Sequence, residues 1–175
     1  MSTALSPVEV ASARQRQAAD PKISSWVAAS AGSGKTRVLT ERILRLLLAG
    51  AAPESLLCLT YTKAAAAEMA NRLNAALAEW ARLPAPDLAA RIAELTGRAA
   101  DDATVALARR MLAATLDAPG GMRIGTIHSF AQALLRRFPL EGQVPPHFAL
   151  LDEAGRETDP AKHIDGNVDV SGTIA

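Results

Sequence analysis

The stretch "SAGSGKTRVLTERI", residues 30–43, decides how the rest of the chain is read. A turn containing Gly32 and Gly34 runs into Lys35 and Thr36. Apolar residues at helical spacing follow: Val38, Leu39, Ile43, Leu46 and Leu47. Glycines let backbone N–H groups close around phosphate oxygens, a lysine can reach the β- and γ-phosphates, and a hydroxyl can ligate Mg²⁺. The helix that follows points its positive end at the same anions. The pattern G-x-x-x-x-G-K-[ST] is met at Gly34, Lys35 and Thr36 and missed at its first glycine, where Ala29 stands.

These residues are read as a nucleoside triphosphate site. Ala29, Ser30, Ala31, Gly32, Ser33 and Gly34 form the loop. Lys35 and Thr36 are the catalytic pair, with Thr36 holding Mg²⁺ through bound ATP. The competing reading is a chance Gly-Lys-Thr in a turn. The strand-like run "SSWVAAS", 24–30, before the loop and the amphipathic pattern after it favour the site, because the mechanism needs a strand, a loop and a helix in that order.

Working outward, Thr36–Leu48 is predicted as a helix stopped by Gly50. "SLLCLTYT", 55–62, and "MRIGTI", 122–127, are predicted as buried strands. Residues 64–82 form a long Ala-rich helix broken by Pro84 and Pro86. Two further helices cover 87–97 and 102–116, and "HSFAQALLRRF", 128–138, is helical again. Strands separated by helices imply an α/β fold with a parallel sheet and Ala-rich crossover helices. Three regions are expected. Residues 1–24 are an arm with one short helix, 25–153 form the nucleotide-binding domain, and the polar stretch 154–175 has no sustained period and is expected to be poorly ordered.

Composition limits the alternatives. The chain has 175 residues, enough for one domain with a core. Its formal net charge is +1, so any nucleic-acid contact must be local rather than a global field. The lysines are Lys22, Lys35, Lys63 and Lys162, and two of them, Lys35 and Lys63, fall inside motifs. Cys58 is the single cysteine, so an internal disulfide and a cysteine-based metal site are excluded. His128, His147 and His163 show no ligand spacing. Neither a bilayer-spanning run nor a signal-peptide core is present, and the expected location is cytoplasmic, without membrane association.

With these residues in place, "ASAGSGKTRVLTERI" (29–43) followed by "LCLTYTKAAAAEMANRL" (57–73) resembles the UvrD/Rep-type superfamily 1 DNA helicases. The second stretch is similar to their motif Ia, T-F-T-N-K-A-A-x-E-M. "IGTIHSFAQALLRRF" (124–138) is similar to their T-[FI]-H-[SA] motif, and "QRQAADP" (15–21) resembles their Q motif. Within the family, "RLLLAG", "RFPLEGQVP" and "LLDE" resemble the AddA branch, the helicase-nuclease subunits of bacterial double-strand-break repair. The resemblance covers residues 15 to about 153. It implies an incomplete P-loop NTPase domain of the RecA-like 1A type, with ATP and Mg²⁺ as cofactors. The partners it implies are single-stranded DNA or double-stranded DNA ends and an AddB-like subunit.

The site residues are carried over one at a time. Gln15 matches the adenine-reading glutamine, with Gln17 as the second candidate. Arg37 follows the lysine-threonine pair and either touches the nucleotide or sits on the helix surface. Thr60, Tyr61, Thr62 and Lys63 match the loop that grips single-stranded DNA in the family. A hydroxyl can bond a phosphate, a lysine can neutralise one, and a ring can stack on a base. The bland reading of Tyr61 is an aromatic capping the sheet edge. Thr126 and His128 match the second DNA-lining segment. The alternative for His128 is a satisfied helix-start residue, and Phe130 is expected in the core.

"FALLDE", 148–153, looks like a Walker B strand ending in Asp152 and Glu153, yet the family's motif II reads D-E-x-Q-D and neither the glutamine nor the second aspartate follows. The chain therefore reads as a piece cut before motif II. Its expected function is the ATP- and single-strand-binding part of a 3′–5′ DNA helicase in double-strand-break repair and recombination. The alternatives are a small P-loop kinase or other NTPase not acting on DNA, and a non-catalytic nucleotide-binding remnant.

Overall fold

The computed structural model describes residues 6–28, 34–119, 121–145, 148, 150–151 and 157–158. The chain divides into two compact units, Met1–Ile127 and His128–Ala175.

The first unit holds α1 (Pro7–Ala18), α2 (Lys35–Leu48), a 3₁₀ turn (Pro53–Ser55), β1 (Leu57–Thr60), α3 (Lys63–Arg82), α4 (Ala85–Thr96), α5 (Asp102–Asp117) and β2 (Arg123–Thr126). Apolar spacing dictates the helix packing. Along α3, Ala66, Met69, Leu73, Leu77 and Trp80 recur at intervals of three and four and are all buried. Ile43, Leu44 and Leu47 of α2, Leu88 and Ile92 of α4, and Val105, Ala108 and Met111 of α5 close the same core around that stripe.

The helix ends are fixed by polar side chains and glycine. The Thr62 hydroxyl accepts from the Ala65 N–H at 3.1 Å, and the Asp101 carboxylate accepts from the Thr104 N–H at 2.8 Å. Gly97, at φ 73°, ends α4 in the left-handed conformation that a side chain would resist.

The strands β1 and β2 pair in parallel, Leu57 opposite Arg123 through Thr60 opposite Thr126. The chain between them crosses over through α3, α4 and α5. Parallel pairing puts the C-terminal ends of both strands at one edge, so the Tyr61–Thr62 turn leaves the sheet beside Thr126. In open parallel sheets this edge is where ligands bind.

One expected strand is not found. Residues 24–28 of the "SSWVAAS" run make no ladder with β1 or β2, and residues 29 and 30 lie outside the described residues. Trp26 is 96% exposed rather than buried. An apolar run becomes a strand only when a neighbouring edge takes its backbone groups. Just upstream, the Arg42 side chain takes the carbonyls of Ala18, Asp20 and Ile23 instead.

The second unit contains α6 (Ile127–Arg137), which begins at the unit boundary, and β3 (Leu150–Leu151) paired antiparallel with β4 (Glu157–Thr158). Phe130 is half-buried in α6, which has no fully buried residue. The strand expected from "FALLDE" is thus reduced to two residues in an antiparallel pair, unlike a Walker B strand in a parallel sheet. Asp152, Glu153 and most of the polar stretch 154–175 lie outside the described residues.

Candidate functional site

The site is built around the first turn of α2. Gly34 caps this helix at φ 83°, and no side chain caps the turn. The Val38 N–H donates to the Gly34 carbonyl at 3.0 Å, closing the first helical turn. The amides of Lys35, Thr36 and Arg37 precede that bond and have no acceptor within the helix. The first turn carries no acidic side chain. A helix start with this charge pattern suits an external anion.

Lys35 is exposed and Thr36 half-buried. Lys35 lines a cavity of about 480 Å³ with Ser24, Ser25, Val27, Val38 and Leu39. The Thr40 hydroxyl donates to the Thr36 carbonyl at 2.9 Å, tying the first turn to the second. The loop residues Ala29, Ser30, Ala31, Gly32 and Ser33 lie outside the described residues.

Gln15 projects from α1 to this turn. A Cβ added to Gly34 would lie 3.4 Å from Gln15 Nε2, so the carboxamide sits directly beside the glycine. Gln17, the second candidate, is exposed.

Two arginines of α2 hold the arm that carries Gln15. Arg42 donates through Nη1 to the carbonyls of Ala18 and Asp20, at 3.2 and 2.5 Å, and through Nη2 to that of Ile23 at 2.7 Å. Arg45 Nη1 donates to the Arg16 carbonyl at 3.0 Å. Sequence reasoning missed both. They stand three apart on one helix, as their shared target requires, yet nothing in the sequence names backbone carbonyls 19 to 29 residues away as that target.

Arg37 donates through Nε to Glu41 Oε1 at 2.7 Å. The Glu41 hydrogen bond, with the charge of that carboxylate, raises the guanidinium pKa above its already high ordinary value. Arg37 is thus held on the flank of α2, one turn from the capping glycine.

At the sheet edge the four motif residues divide their roles. The Thr60 hydroxyl donates to the Thr62 carbonyl at 2.9 Å, and the Thr62 hydroxyl caps α3. Both threonines therefore build the turn. Tyr61 is 81% exposed, so its ring is not a cap on the sheet, and Lys63 is exposed at the start of α3. Thr126 is buried at the end of β2, register partner of Thr60. His128 is exposed and belongs to the second unit. Among the described residues no group of His, Cys, Asp or Glu could hold a metal ion by itself.

Residues 11–171 match the UvrD/REP helicase N-terminal domain. The chain belongs to this family. It is 35% identical over 132 residues to the AddA protein, an ATP-dependent helicase/nuclease component, of Lactobacillus helveticus, covering 75% of this chain and 9% of that protein. The same-named protein of Pelotomaculum thermopropionicum is 39% identical over 131 residues, 73% of this chain and 8% of the relative. DNA helicase II of Escherichia coli is 33% identical over 141 residues, 79% of this chain and 14% of the relative. The chain thus spans about a tenth of the length of the curated relatives it matches. The mixed α/β architecture with parallel β1 and β2 is that of a helicase N-terminal domain. Among the described residues no helix is long and apolar enough to cross a membrane.

Proposed function

We propose that this chain is the ATP- and single-stranded-DNA-binding N-terminal part of a 3′–5′ DNA helicase of the AddA type. The process it serves is double-strand-break repair and recombination in the cytoplasm, beside an AddB-like subunit. The observation that carries the reading is the left-handed Gly34 capping α2, with Lys35 and Thr36 in the first turn and the Gln15 carboxamide against it.

ATP with Mg²⁺ suits the chemistry of these residues. Lys35 would neutralise the β- and γ-phosphates, the first-turn amides of α2 would donate to them, and Thr36 would contribute its hydroxyl to the metal. The metal supplies charge neutralisation at the phosphates when bound. Gln15 would present its carboxamide to the adenine edge. The Arg42 and Arg45 clamps keep α1 against α2, so the base-reading and phosphate-binding groups share one rigid helix pair.

For DNA, Tyr61 offers a ring for base stacking and Lys63 a charge for a phosphate, while Thr60 and Thr62 hold the turn that presents them. Thr126 and His128 are proposed for the neighbouring strand-lining segment. Family membership and the motif order favour this reading over a small kinase. Unwinding belongs to the far longer relatives, and its assignment to this chain rests on their names.

Fluorescence anisotropy with a labelled single-stranded oligonucleotide tests the DNA half of the proposal. Binding should be weak, fall as salt rises, and lose roughly 1–3 kcal/mol in Tyr61→Ala. Equal affinity of the wild type and that variant would remove Tyr61 from the DNA contact.

A further inference from the structure

A second cavity, about 250 Å³, opens beside the first turn of α2. Gln15 and Arg37 line one part of it. Arg91, Glu94 and Leu95 of α4 line another, with Trp80 of α3. Its volume lies just below the roughly 300–1,000 Å³ of pockets that hold whole drug-sized ligands, which suits part of a nucleoside rather than an entire nucleotide. The lining is graded in the way such a pocket requires. Trp80, 2% exposed, and Leu95 offer apolar surface, while Gln15, Arg37, Arg91 and Glu94 are hydrogen-bonding or charged.

The helix α4 lies between the two stretches that resemble helicase DNA motifs and matches none of those motifs itself. Its polar face nevertheless reaches the cavity beside the phosphate turn. Arg91 Nη1 donates to Glu94 Oε2 at 2.7 Å. Among the described residues Glu94 Oε1 makes no hydrogen bond. An ionised carboxylate can only accept, so this oxygen calls for a donor. The charge of Glu94 is also felt at Arg37, across the cavity from α4 to α2.

We propose that α4 is the ribose wall of the nucleotide site and that Glu94 selects ribonucleotides by accepting a hydrogen bond from a ribose hydroxyl. The proposal rests on the nucleotide-binding reading of Lys35 and Gln15. If the Gln15 carboxamide takes the adenine edge, the donors left on the nucleoside are the ribose hydroxyls, and Glu94 is the acceptor-only group on the opposite wall. Arg91 acts through Glu94 as a positioning residue, holding one carboxylate oxygen so that the other is presented. The Glu94 side chain is 67% exposed, so its preference is modest.

The test is calorimetric titration of the full chain with Mg·ATP, Mg·2′-deoxy-ATP and Mg·3′-deoxy-ATP, on the wild type, Glu94→Ala and Glu94→Gln. The wild type should prefer ATP over one of the deoxy analogues by about three- to tenfold, the range left to one charge-assisted hydrogen bond after solvent screening. Glu94→Ala should bind all three alike. Glu94→Gln, which keeps the shape and an acceptor oxygen but not the charge, should fall between. Equal binding of ATP and both deoxy analogues by the wild type, or an undiminished preference in Glu94→Ala, would overturn the assignment of α4. Absence of any ATP binding by the wild type would instead overturn the nucleotide reading itself, and this inference with it.

Discussion

Arg42→Ala should release the N-terminal arm while leaving the helical core folded. The guanidinium satisfies three carbonyls, at Ala18, Asp20 and Ile23, and it is the main polar tie between α2 and the segment leading to the phosphate loop. Hydrogen bonds to a charged group contribute about 1.5–3 kcal/mol each when well shielded. One of the three is long at 3.2 Å, and the bond to Ile23 is exposed. The freed carbonyls can turn to water, so the set is worth about 2–3 kcal/mol in total rather than three full bonds. The loss falls on local opening, because the core around Leu73, Leu77 and Trp80 does not include the arm.

Amide hydrogen exchange reads that loss. The Ala19 N–H, bonded to the Gln15 carbonyl at 3.0 Å, and the Asp20 N–H, bonded to that of Gln17 at 3.0 Å, should exchange about 30- to 150-fold faster in the variant. Amides within α3 should be unchanged. Arg42→Lys should be intermediate, since an ammonium lacks the planar fork that spans separate carbonyls. Unaltered exchange at Ala19 and Asp20 in Arg42→Ala would refute the clamp.

Two further outcomes follow from the caps. Gly34→Ala should cost about 1–2 kcal/mol in urea unfolding, because an L-residue resists φ 83° while the new Cβ meets Gln15 only at ordinary contact distance; an unchanged midpoint would count against the left-handed cap. At Asp101 the Thr104 hydroxyl and then the Thr104 N–H hold the carboxyl below its ordinary pKa, so its capping contribution is present above the unfolded pKa and is lost as pH falls through the lowered folded value. The Thr104 amide shift should follow that acid titration by NMR in the wild type and not in Asp101→Asn, and identical profiles would exclude the cap.

The helices are legible in the sequence because their reasons are local. The Met69, Leu73, Leu77 and Trp80 stripe, the break at Pro84 and Pro86, and the stop at Gly50 act within a few residues of where they are read. The strand expected at 24–30 fails over its described part because strand formation depends on a neighbouring edge, which Ser24–Ala28 do not find. Arg42 and Arg45 are invisible for the same reason. Their partners are backbone carbonyls, and carbonyls carry no sequence signal.

At the candidate site the resemblance offers Gln15 and Gln17 together, and the fold puts Gln15 beside Gly34 with Gln17 exposed. Thr60 and Thr62 match groups that face DNA, and the fold engages both in building the turn. A hydroxyl's local hydrogen bond depends on turn geometry that residue type alone does not specify.

Titration of Mg·ATP into the wild-type chain and Lys35→Ala by calorimetry tests the central claim most directly. Lys35 is exposed at the first turn of α2, so its loss should leave the fold intact and remove a charge aimed at the phosphates. Binding by the wild type and loss of most of it in Lys35→Ala is the predicted result. Equal affinity of the two proteins for Mg·ATP would contradict the assignment of this turn as a phosphate-binding site.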